Sequence, residues 1–131
     1  MKVTHGHEPG VASDTRGPTF TGTVHADPVI QGIGVTVNTV FFPPAARTYW
    51  HRHDDGQLLL VTHGGGYVGT RAGDVRAVGP GDAVWFEPGE EHWHGAGPDT
   101  WLTHTAISLG GHAWLDEVTD AQYDDAIASV S

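Results

Sequence analysis

From Thr19 to Leu109 the chain is a series of short runs rich in Val, Thr, Phe, Trp and Tyr, each closed by a cluster of Gly, Pro or Asp. Within the runs apolar and polar residues alternate, the period that turns one face of a strand inward and the other outward. This pattern predicts strands over residues 20–25, 34–42, 47–53, 57–63, 66–70, 74–78, 83–86, 92–95 and 101–109. Asp27-Pro28, Pro43-Pro44, Gly64-Gly65-Gly66, Gly79-Pro80-Gly81-Asp82, Pro88-Gly89 and Gly97-Pro98-Asp99 supply the turns. Many short strands without intervening helices indicate an all-β sandwich or barrel. The pattern changes near the end, where Thr119-Asp120-Ala121-Gln122 has the form of a helix capping box. One short helix over residues 120–129 is expected there, packed outside the sheets. Residues 1–17 carry Gly6, Pro9, Gly10 and Gly17 and little apolar content, and read as a flexible arm before a single domain at 18–131.

Composition narrows the function. Six basic against sixteen acidic side chains give a net charge of −10, which disfavours nucleic acid, because its binding relies on Lys and Arg neutralising phosphates. The same balance disfavours anionic membranes, and no apolar stretch is long enough for a signal peptide or a membrane span. A cytoplasmic protein acting on a small molecule is the expectation. Without cysteine there is neither a disulfide nor a thiolate metal site. Ten histidines are the unusual feature, since imidazole is the commonest metal ligand and a proton carrier near neutral pH.

Their spacing is informative. His51 and His53 lie two apart on one strand and share a face. Asp54-Asp55-Gly56 reverses the chain, so Gln57 can return a carbonyl oxygen to the same point. His92 approaches from a distant strand beside Pro88-Gly89. Three imidazoles and an amide oxygen suit one divalent first-row ion and leave coordination positions open. His94, two residues past His92, points the same way and is suited to general-base work. On the last long strand His104 shares a face with Leu102, Ala106 and Ser108, against Trp101, Thr103, Thr105 and Ile107 on the other; alternation alone does not choose the inward one. Asn38, Val40 and Phe42 share a face of the second long strand. Trp50 and Trp93 alternate away from the ligands, toward packing behind the sheet or between subunits. Arg47 and Arg52 read as surface or interface groups, and His25 and His112 have no evident partner.

His51-x-His53-x-x-x-Gln57, followed by Gly64, resembles the first cupin motif, and Gly81-Asp82, followed by Pro88-Gly89-x-x-His92, resembles the second. Gln57 stands where Glu is usual, Glu87 where Pro is commoner and Ala96 where Asn often sits. Gln57, Trp85 and the run from Pro88 to Gly95 narrow the likeness to the subfamily containing the bacterial manganese-dependent hydroxynitrile lyases. Phe20-Thr21-Gly22-Thr23-Val24 and Asp116-Glu117-Val118-Thr119-Asp120 are similar to its two ends. The resemblance implies a cupin barrel of six to eleven antiparallel strands holding one divalent ion per chain. Mn(II) is expected first, with Fe(II), Ni(II) and Zn(II) as the other candidates. It also implies a homodimer or homotetramer and cleavage or formation of a cyanohydrin. In that role His94 removes the hydroxyl proton, and His104, placed in the pocket, stabilises the leaving cyanide. Asn38, Val40 and Phe42 line the pocket mouth, and Ser108 takes a lining position where relatives carry Gln. Two other functions remain open on the same scaffold, a Mn- or Fe-dependent oxygenase or oxidase and a non-catalytic ligand-binding cupin.

Overall fold

The computed structural model describes residues 1–130. Thirteen strands precede one helix: β1 (Asp14–Arg16), β2 (Phe20–Thr21), β3 (Val24–Gly32), β4 (Val35–Phe42), β5 (Arg47–Thr48), β6 (His51–His53), β7 (Gln57–Gly64), β8 (Gly66–Thr70), β9 (Val75–Val78), β10 (Ala83–Phe86), β11 (His92–Ala96), β12 (Leu102–Leu109), β13 (His112–Trp114) and α1 (Asp120–Ala128). One sheet runs β1-β3-β4-β12-β7-β10; the other runs β13-β6-β11-β5-β2, with β8 joining β11 to β9. The described pairings are antiparallel. No described helix is long and apolar enough to cross a membrane.

The two inner faces meet in a core built from Val24, Val40, Phe42, Leu59, Val61, Val68, Phe86 and Leu102, each burying the inward half of an alternating run. Outside the second sheet, Trp50, Trp93, Val118 and Tyr123 form a separate apolar cluster beneath α1. The helix begins at Thr119, whose side chain accepts from the Gln122 backbone N–H while the Gln122 side chain accepts from the Thr119 N–H. The Tyr123 hydroxyl donates to the Ala96 carbonyl at 2.6 Å, fastening α1 behind β11.

Several local expectations differ from the structure; among them, the strands expected over 20–25 and 47–53 are each broken in two. Asp14–Arg16, within the segment read as an arm, pairs with β3. The strand expected to end near Asp27-Pro28 continues to Gly32. Proline is tolerated because β1 no longer flanks β3 at that point and because the β3–β4 register shifts between Pro28 and Ile30. A further strand, β13, pairs with the ligand-bearing β6. Arg47, read as a surface or interface group, is buried and gives its guanidinium to the Val118 carbonyl and Asp120.

Candidate metal centre

Strand β6 presents His51 and His53 to the barrel interior, and β11 brings His92 directly opposite His51 in register. Gln57 opens β7 after a turn in which Gly56 has φ +99° and lies under the Trp85 ring, where a side chain would collide. Glycine there lets the chain reverse within three residues of His53. The result is a buried group in which nitrogens of His51, His53 and His92 all lie within 4.8 Å of one another. The Gln57 Oε1 lies 2.8 Å from His92 Nε2.

Backbone anchors decide which nitrogen faces the centre. His51 Nδ1 lies 2.9 Å from the Tyr49 carbonyl and His92 Nδ1 lies 2.8 Å from the Glu90 carbonyl. A carbonyl only accepts, so each Nδ1 carries the hydrogen, and a neutral ring then turns its Nε2 lone pair inward. The Phe86 ring stacks on His92 at 3.6 Å between centroids and fixes its plane. Burial is the main reason that all three rings favour the neutral, ligating form. It holds His53 down to about 4 and His92 to about 3, and pushes His51 well below the usual imidazole value, with the neighbouring His92 charge adding to the effect.

This arrangement is unsatisfied without a cation. Gln57 donates its amide N–H to Ser108 Oγ at 3.0 Å, leaving Oε1 against the His92 lone pair, two acceptors 2.8 Å apart. Turning the amide over would relieve that contact alone. Both ring nitrogens of buried His53 also lack any partner, and a buried polar atom without a partner costs about 1–3 kcal/mol. One divalent ion on His51, His53, Gln57 and His92 would sit between the two acceptors and engage one of the His53 nitrogens, so the donor set fits such an ion. Its four protein donors are all neutral.

Beside this group lies a cavity of about 310 Å³, lined in part by His51, His53, Gln57 and His94. His94 sits on β11 with Nε2 buried and unpartnered, and its Nδ1 is 2.9 Å from His104 Nε2. Burial, then the neighbouring His104, push His94 well below its usual pKa; burial holds His104 at about 4. Asn38, Val40 and Ser108 line the cavity. Two expected pocket residues do not. His104 does face inward, but it is fully buried behind His94. Phe42 is also behind the wall, edge-on to His94 with centroids 5.8 Å apart and 5.2 Å from the His104 ring. Large side chains on β4 and β12 fill the space between the sheets at that level, so the cavity ends at His94.

Sequence reasoning missed Arg16, Phe20, His112 and Trp114, which also line the cavity. His112 and Trp114 are paired in register with His53 and His51. The alternation His112-Ala113-Trp114 after Gly110-Gly111 was an available signal for a strand there. Arg16 had none, because its place depends on β1 pairing with β3. His25 lies on β3, and Trp50 and Trp93 pack under α1.

Residues 38–103 match the family model described as the cupin domain. The chain is 48% identical to an (R)-mandelonitrile lyase from Granulicella tundricola, over 87% of this chain and 94% of that protein. Among solved structures, a cupin-like protein from Thermotoga maritima superposes with a TM-score of 0.84 at 35% identity, over 92% of this chain and 97% of that one. The polyketide cyclase RemF from Streptomyces resistomycificus shares the fold, with a TM-score of 0.72 at 18% identity over 94% and 92% of the two chains. Double-sheet barrel, paired histidine motifs and these likenesses agree, and the chain belongs to the cupin family.

Proposed function

We propose that this chain is a metal-dependent lyase of the hydroxynitrile type, releasing an aldehyde and cyanide from a cyanohydrin or joining them in reverse. The observation that carries this reading is the placement of two kinds of imidazole on one cavity. Three converge with Gln57 as a ligand group; the fourth, His94, lines the same cavity and has a buried Nε2 with no hydrogen-bond partner. The 48% identity to a mandelonitrile lyase supports the same chemistry. A bound divalent ion, Mn(II) first among the candidates, would supply Lewis acidity that lowers the pKa of a substrate hydroxyl, more strongly for having only neutral donors.

The chain's own residues do the rest. With His94 Nδ1–H donating to His104 Nε2, the His94 Nε2 keeps its lone pair and is the atom left to take the hydroxyl proton. The carbon–cyanide bond then breaks, its electron pair leaves with cyanide, and the oxygen becomes the aldehyde carbonyl. His94 returns the proton to cyanide, so atoms and charge balance. His104 acts through His94, fixing its tautomer and sharing the charge of the protonated ring; its burial removes it from the leaving group. Asn38, Val40 and Ser108 shape the space for the rest of the substrate.

Self-association belongs to this reading. Val37, Ile107, Leu58 and Trp85 lie side by side across β4, β12, β7 and β10. They sit on the outer face, where Trp85 and Leu60 remain exposed, an apolar row of the sort that pairs barrels into a homodimer or a dimer of dimers. The direct test is benzaldehyde release from mandelonitrile by metal-loaded protein, without oxygen consumption. Turnover no faster than the metal-free protein would remove the lyase reading.

A further inference from the structure

Three of the five arginines in this protein are spent on carboxylates. Arg47 pairs with Asp120, Arg71 with Glu91 and Asp116, and Arg76 with Asp74. Arg16 differs. It is half-buried on β1, lines the cavity, and makes one described bond, from its Nη2 to Asn38 Oδ1 at 3.4 Å. Sixteen acidic residues are available in a chain with six basic ones, yet no described carboxylate lies within ion-pairing distance of it. No Asp or Glu lines the cavity at all.

The cavity therefore has an uncompensated positive character inside an acidic protein. A guanidinium stands on one wall, and the ligand group opposite offers only neutral donors to any ion it holds. A guanidinium is a planar fork matched to a carboxylate, and Asn38 holds one of its arms while the others stay free. Placement gives the span. Asn38 on β4 is separated from β7, which carries Gln57, by β12 alone, so the two backbones are about 10 Å apart at the usual strand spacing. One small ring or a short chain bridges that distance.

From this we infer that Arg16 is an anion-recognising residue, and that the cavity takes a substrate bearing a carboxylate at the end remote from the reacting carbon. In the lyase reading, on which this substrate class rests, the aldehyde partner is a formyl- or oxo-carboxylate rather than a plain aryl aldehyde. The carboxylate receives two N–H bonds from Arg16 while the hydroxyl end reaches His94 and the ligand group. Gln31, Thr36 and Ser108 add a polar wall between the two ends.

The test uses a matched pair of unreactive probes, 4-(hydroxymethyl)benzoate and benzyl alcohol, titrated calorimetrically into the manganese-loaded full chain and into the metal-free chain. The wild type is expected to bind the carboxylate probe at least about ten-fold more tightly in both forms, the scale of one charge-assisted pair. Arg16→Gln brings the two probes within about two-fold of each other, and Arg16→Lys keeps part of the preference because it retains charge without the fork. Equal affinities in the wild type would overturn the proposal. So would a preference that survives Arg16→Gln, or one confined to the metal-loaded form, since the carboxylate then sits on the ion. Circular dichroism of both variants checks that the barrel stays folded. Cyanide addition to 4-formylbenzoate and to benzaldehyde separates the two readings. Probe discrimination without turnover of either aldehyde leaves Arg16 recognition standing and ends the lyase reading. Turnover of benzaldehyde with no lower KM for 4-formylbenzoate does the reverse.

Discussion

Five buried histidines sit inside this barrel in two groups, and the groups are wired differently. His51 and His92 are each tied through Nδ1 to a backbone carbonyl, so their remaining lone pairs are committed to a shared point with His53 and Gln57. His94 and His104 are tied to each other. A ring anchored on a carbonyl has one tautomer and behaves as a fixed ligand. A ring whose Nδ1 is held by another imidazole keeps its Nε2 free of any ligand duty and can take up and return a proton there. The same residue type, at similar burial, is thereby assigned to holding an ion in one place and to moving a proton in the other.

Removing a member of each group separates these roles. His53→Ala takes away a ligand whose two ring nitrogens have no other use, so the rise in thermal midpoint that Mn(II) gives the wild type should vanish. That rise corresponds to roughly 2.7 kcal/mol at a hundred-fold excess over Kd, and a calorimetric scan with and without the ion measures it. His94→Ala should keep the metal-induced shift and lose about 10²–10⁴ in kcat on mandelonitrile. A variant that lost the shift as well would merge the two groups into one.

The second group can be tested internally. His104→Leu leaves His94 Nδ1 without a partner and should lower kcat roughly ten-fold, with KM little changed. His104→Gln, which can still accept from His94 Nδ1–H, should recover most of it. Equal losses in the two variants would mean that His104 matters only as packing against Phe42 and His94.

Acidification tests the same pair through stability. Burial holds the folded-state pKa of His104 at about 4, below the usual 6.5. The unfolded chain therefore binds the extra proton first. The stability this ring contributes is complete above pH 6.5 and is lost as the pH falls toward 4, with a slope of about 1.4 kcal/mol per pH unit for one such histidine. His94 and Phe42 are the neighbours that face it. In metal-free protein, urea unfolding at pH 7 and pH 5 should show a smaller acid loss for His104→Gln than for the wild type.

The ligand group was legible in the sequence because its geometry is local. A two-residue spacing on a strand and a turn with glycine at Gly56 bring three donors together over seven residues, and His92 was marked by its own turn and by motif likeness. The long strands were legible for the same reason, since alternation is a property of consecutive residues. What was not legible depends on contacts between distant segments. Residues of one strand cannot tell whether His104 reaches the cavity or stops behind His94, because Phe42 on a neighbouring strand decides it. The three residues of β1 carry no apolar alternation and pair only because β3 offers a partner, whereas β13 had a short signal in His112-Ala113-Trp114 that was passed over. Arg47 looked like a surface charge until the Val118 carbonyl and Asp120 folded back over it.

Metal content tests the central claim most directly. Elemental analysis of protein purified without chelator should give one divalent first-row ion per chain in the wild type and in His94→Ala, and almost none in His53→Ala. A wild-type chain that stays free of metal after incubation with excess Mn(II), Fe(II), Ni(II) and Zn(II) in turn would contradict the account.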